Sequence, residues 1–196
     1  MKINELIDTK TGERLYLNKD ERQRFKEAAQ YMKPDQKLYC LMLYYTGCRR
    51  SEALEVTPNH LDFEESTVMI RTFKQGEGNP YVYRIVELPK DYLAQLESQY
   101  QAETKKGKPR SGHKRIWTFS SRTAQNYVKA VMKKAEITGK NASSRGLRHS
   151  MGVMLAQNKI PVNVIQQILG HKYIKNTMIY MQIVGQERRD MISQAW

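Results

Sequence analysis

The chain has 196 residues, enough to bury a core of its own, and sets 33 Lys and Arg against 20 Asp and Glu for a net charge of +13. That excess of positive charge favours a polyanionic partner, double-stranded DNA above all, whose phosphates it would neutralise. The longest nearly apolar run, Leu38 to Tyr45, falls far short of the roughly 20 residues that span a bilayer. The charged start from Met1 to Lys10 lacks the apolar core of a secretory leader, so no membrane role is expected and a cytoplasmic location is. Cys40 and Cys48 are the only cysteines, which suits reduced thiols better than a disulfide framework or a metal site.

In chain order, Asn18 followed three residues later by Glu21 predicts a capped helix through Phe25, Ala28, Ala29 and Met32, closed by Pro34. A second helix is expected from about Gln36 through Leu41, Met42 and Leu43 to Gly47, with a short helix through Glu52 after it. From Asp62 the apolar period drops to two. Val68, Ile70 and Thr72 alternate with Met69, Arg71 and Phe73, Gly76 to Pro80 breaks the chain, and Tyr81 to Leu88 alternates again, which predicts a β-hairpin. Helical patterns return from about Asp91 to Thr104 and from Thr123 to Ala135, separated by a charged loop from Lys105 to Lys114 suited to phosphate contact. Another helix begins near Ser144. The next carries Pro161 in its first turn and Val164, Ile165, Ile168 and Leu169 on its apolar side, and Gly170 ends it. The fold class that follows is mainly α with a small antiparallel β-sheet, an α+β domain without internal repeats.

Three short stretches carry residues suited to chemistry. In the first, Arg49 opens a helix with Glu52 three positions on; in the second, Arg145 and Arg148 sit three apart on a helix and share a face, with His149 following. In the third, His171 follows Gly170 at a helix end, and nine residues later Tyr180 lies in the helical run Met178 to Met181. Each has a plainer reading. The arginines make a solvated basic face, His171 caps a helix, and Tyr180 is one packing residue among 12 tyrosines.

The order Arg49, Lys74, Arg145, Arg148, His171, Tyr180, with 23 residues from Arg148 to His171 and nine more to Tyr180, resembles the tyrosine recombinase or phage integrase family. The resemblance runs from Leu17 to the end of the chain and includes the blocks Leu147-Arg148-His149 and Leu169-Gly170-His171. It implies that Arg49 and Arg148 bind a scissile phosphate, Lys74 in the hairpin protonates the leaving oxygen, His171 supports the phosphate and Tyr180 attacks it. Glu52 and His149 are expected to support these groups from behind. The implied reaction forms a 3′-phosphotyrosine and needs neither metal nor cofactor.

Two departures from the family pattern stand out. Arg145 occupies the place of a usual histidine and cannot accept a proton there. Only about 17 residues precede the first helix, where such integrases usually carry a separate core-binding domain, so the chain is expected to be either a fragment or a compact member like the fimbrial-switch invertases. The expected division is a segment over 1–17, a catalytic domain over 18–185 and a tail helix over 186–196 that is either exchanged between subunits or packed within its own. The implied partners are double-stranded DNA, further copies of the chain in a tetramer, and accessory DNA-bending proteins. A nicking and resealing enzyme like the type IB topoisomerases, and an inactive DNA-binding regulator, are the alternatives.

Overall fold

The computed structural model describes residues 6–73, 82–105, 114–182 and 193. Helix α1 (Lys19–Ala29) starts as its sequence predicts. The Asn18 side chain accepts the Glu21 N–H at 2.8 Å while the Glu21 carboxylate accepts the Asn18 N–H at 2.9 Å. Pro34 does not end this helix, which has already stopped at Ala29. Instead it opens α2 (Pro34–Thr46), because a proline at the first helical position loses no intrahelical hydrogen bond.

Helix α2 is the centre of the main core. Leu38, Tyr39, Cys40, Leu41, Met42 and Leu43 are all buried, and the helix packs against α1 and four later helices. Both cysteines are free and buried, and burial pushes the thiols up to about 12 for Cys40 and about 11 for Cys48. The helix ends at Gly47 with φ 59°, and a Cβ there would lie 2.9 Å from the Met151 Cβ. Left-handed backbone and close packing both call for glycine at that point.

Helix α3 (Arg50–Leu54) leads into a three-stranded antiparallel sheet in the order β1 (Leu61–Asp62), β2 (Thr67–Thr72), β3 (Val82–Glu87). Thr67 faces Glu87 and Thr72 faces Val82, which is the predicted hairpin; β1 adds a strand too short to leave a periodic signal. Val68, Ile70, Thr72, Arg84 and Val86 point inward. Among the described residues five helices follow the sheet: α4 (Lys90–Lys105), α5 (Ser121–Lys134), α6 (Ser144–Gln157), α7 (Val162–Leu169) and α8 (Lys175–Met181). A second apolar cluster, with Met151, Val153, Leu155, Ile165, Leu169 and Tyr180, ties α6, α7 and α8 together. Among the described residues no helix is long and apolar enough to cross a membrane.

Candidate active site

Arg49, Arg145, Arg148, His171 and Tyr180 come from separate parts of the sequence and line one cleft of about 470 Å³, together with His149, Arg50 and Asn176. Helix α6 supplies Arg148, which is only 7% exposed. Its Nη1 donates to the Gly47 carbonyl at 2.9 Å and its Nη2 to the Leu169 carbonyl at 2.7 Å. These carbonyls stand at the C-terminal ends of α2 and α7, where partial negative charge gathers, so two helix ends hold the guanidinium without neutralising it. Burial and the charge of Arg49 push its pKa down to about 10. A cation so placed gains from any anion brought beside it.

Arg49 caps α3. Its backbone N–H donates to Glu52 Oε2 at 2.9 Å and its Nη1 to Oε1 at 2.7 Å. Glu52 has no exposed surface and accepts a third bond, at 2.7 Å, from Arg84 Nη2. Burial alone would raise the Glu52 pKa, but Arg84 and the bonds from Arg49 outweigh it and hold the carboxyl below its usual range. Arg84 also donates through Nε to the Ile168 carbonyl at 2.9 Å and through Nη1 to Thr72 Oγ1 at 2.7 Å. It therefore ties β3 to α3 and α7 and fixes the carboxylate that fixes Arg49. No motif of the sequence marks Arg84. The available signal was its register, because it shares the inward side of β3 with Val86, where an apolar residue is expected.

Tyr180 is 1% exposed, yet it lines the arginine cleft. Its ring lies against α6 over Gly152, where a Cβ would fall 2.5 Å from ring carbons, and stands nearly parallel to the His171 ring at 14°. Burial pushes the phenol up to about 12, against the opposing pull of Arg148, Arg145 and Arg49. His171 places its Nδ1 2.9 Å from Thr177 Oγ1, and its backbone N–H donates to the Gln166 carbonyl. It is thus both the end of α7 and a wall of the cleft. Burial, then Arg148 and Arg49, lower its pKa to about 3, so the ring is neutral.

Arg145 is exposed on the rim of the cleft and donates from Nε to His149 Nε2 at 3.2 Å. The other ring nitrogen of His149, Nδ1, lies 3.1 Å from the Tyr180 hydroxyl. Burial, then Arg145 and Arg148, lower the His149 pKa to about 4, which keeps this imidazole neutral too. Lys74 and the tail over 186–196, apart from Ser193, lie outside the described residues, as does most of the charged loop after α4.

Residues 15–187 match the Phage integrase family, and the chain belongs to it. A tyrosine recombinase XerA of Pyrococcus horikoshii is 28% identical over 163 residues, which are 81% of this chain and 54% of that protein. An integrase/recombinase of Escherichia coli is 27% identical, over 79% of this chain and 56% of its own length. The chain spans about half the length of these relatives. Among solved structures, that of XerA recombinase superposes with a TM-score of 0.74 at 26% identity, covering 92% of this chain and 64% of that one. The catalytic domain of bacteriophage HP1 integrase has the same fold, with a TM-score of 0.64 at 20% identity over 87% of this chain and 88% of its own.

Proposed function

We propose that the chain, over 18–185, is the catalytic domain of a site-specific recombinase that cuts and rejoins double-stranded DNA through a 3′-phosphotyrosine. One observation carries this reading: a buried arginine with no carboxylate partner among the described residues stands with Arg49 and Arg145 around the cleft that Tyr180 lines. In-line attack on a phosphodiester spreads negative charge over the nonbridging oxygens, and two guanidinium forks already held in place stabilise that charge as it develops. Arg49 and Arg148 take this role, Arg145 adds a third cation from the rim, and His171 contributes a neutral hydrogen-bonding wall. Lys74 gives a proton to the departing 5′-oxygen. Because the phosphotyrosine keeps the energy of the broken bond, a 5′-hydroxyl reverses the step with neither ATP nor a cofactor.

The reading extends to cytoplasmic action on paired sites by four copies, with the 186–196 tail exchanged between subunits and DNA-bending proteins assisting. A structure of similar fold, the Tn1549 transposon integrase in complex with transposon right end DNA, supports the choice of substrate. A duplex carrying a nick that lets the cleaved end diffuse away traps the covalent intermediate. The wild-type chain should form this adduct and Tyr180→Phe should not; a Tyr180→Phe protein that still forms it removes the reading. Arg145 in place of histidine favours a second reading, a nicking and resealing enzyme, which unselective relaxation of a supercoiled plasmid would support.

A further inference from the structure

We propose that His149 takes the phenol proton of Tyr180, and that Arg145 decides when it can. The inference rests on the recombinase reading above. A ring nitrogen that accepts a hydrogen bond carries no proton. Since Arg145 Nε–H points at His149 Nε2 across 3.2 Å, a neutral His149 carries its proton on Nδ1. Nδ1 then donates to the Tyr180 oxygen across 3.1 Å. In this state the imidazole holds the phenol in place but has no lone pair to offer it. Tyr180 idles with its proton on.

The same guanidinium that blocks Nε2 lies on the rim of the cleft lined by Arg148. When Arg145 turns to a phosphate bound there, it leaves His149. The freed imidazole exchanges its proton through solvent, one proton arriving at Nε2 and one leaving Nδ1, so that the Nδ1 lone pair faces the phenol. Attack then moves the Tyr180 proton to Nδ1 as the Oη–P bond forms. The P–O5′ bond breaks, and the departing oxygen takes its proton from Lys74. Charge acts in the same direction. The groups facing the ring are Arg145 and Arg148 of its own helix, Tyr180 of α8 and His171 from the loop before α8. The two arginines disfavour the imidazolium, and a phosphate that pairs with them lifts the His149 proton affinity back towards the range useful to a base. Arg145, which cannot accept a proton itself, becomes the gate of a base one helical turn away.

Two measurements test this. In the free protein, nitrogen NMR of the imidazole should find His149 as the Nδ1–H form, moving towards Nε2–H in Arg145→Ala. A wild-type Nε2–H form, or no change in the variant, overturns the gate whether or not the protein cuts DNA. In single-turnover adduct formation, His149→Ala and His149→Gln should both be slower by about 100-fold, and both should lose the rise in rate with pH. Glutamine can donate to the phenol but cannot take its proton, so a His149→Gln rate within about threefold of wild type reduces His149 to a positioning group and overturns the base. On a substrate with sulfur at the 5′-bridging position, which leaves without a proton, the His149→Gln defect should persist while that of Lys74→Ala disappears. If Arg145→Ala shows the tautomer change but the wild-type chain forms no adduct, the recombinase reading and the base role fall together, a result distinct from failure of the gate.

Discussion

Arg145 and His149 form a linked pair on the wall of the cleft. Arginine at the rim supplies a permanent cation that cannot accept a proton, while His149, four residues on, contacts both the arginine and the Tyr180 hydroxyl. Arg145→His is expected to keep cleavage, since an imidazole still donates to a phosphate and can accept a proton. Arg145→Ala should slow it, and an alanine variant as fast as wild type in adduct formation rejects a catalytic role. The two imidazoles of the cleft, His149 buried and His171 half-buried, also make stability depend on pH. His149 and His171 have pKa values lowered to about 4 and about 3, so the unfolded chain binds protons that the folded chain refuses. Their stabilising effect is complete above the unfolded value near 6.5 and drains away as pH falls towards about 4 for His149 and about 3 for His171. For His149 alone the loss between pH 7.5 and 5 is on the order of 2 kcal/mol, read from urea midpoints. His149→Gln should flatten that part of the curve, and an unchanged pH profile in the variant would rule out the buried neutral ring. Arg49, Glu52, Arg145, Arg148, His149, His171 and Tyr180 were legible as residue types at a spacing; what was not legible was direction. Nothing in the run Arg145-Gly146-Leu147-Arg148-His149 says that the histidine turns to the phenol, because that depends on where α8 crosses α6.

The elements set those directions. Helix α6 passes Arg148 between the ends of α2 and α7, and the same helix presents Gly152 to the Tyr180 ring. Its N-cap, Ser143, accepts the Gly146 N–H at 3.1 Å and fixes where the helix begins, hence which face meets the cleft. Gly152 is the residue that lets α8 lie close. Gly152→Ala puts a methyl group into the phenol ring, so adduct formation should fall by at least about tenfold through misplacement of the nucleophile, while binding to a duplex stays near wild type. Equal loss of binding and cleavage would mean instead that the whole α6 and α8 packing had failed. At this scale the sequence was readable where caps and periodicity speak: the Asn18 start, the Gly47 and Gly170 ends, and the alternation of the hairpin strands, though not their register. It misled at Pro34, because the same proline that cannot continue one helix is well suited to begin the next. For Arg84 it offered only a charge at an inward position of β3, because the three hydrogen bonds of that residue join elements distant in sequence.

For the whole molecule the governing quantity is charge. Thirty-three basic residues over 196 leave +13, and the arginines of the cleft are only a small part of it. Two kinds of cation are therefore expected to act on DNA: those spread over the surface, which draw in the duplex and set its affinity, and those in the cleft, which act on one phosphate. The two separate by salt. Each neutralised phosphate releases counterions, so affinity should fall by about 10³-fold between 50 and 200 mM salt if six or so phosphates are contacted. Tyr180→Phe, which removes no charge, should leave the slope unchanged. Arg145→Ala removes one exposed contact and should lower the logarithmic slope by about one. Arg148 is already committed to the Gly47 and Leu169 carbonyls, so it should affect the rate of adduct formation far more than the slope. Titrations of a labelled duplex against salt for these variants decide the matter. If Arg148→Ala weakened binding as much as it slowed cleavage, the buried arginine would belong to general attraction, and the separation between drawing in DNA and acting on its phosphorus would collapse.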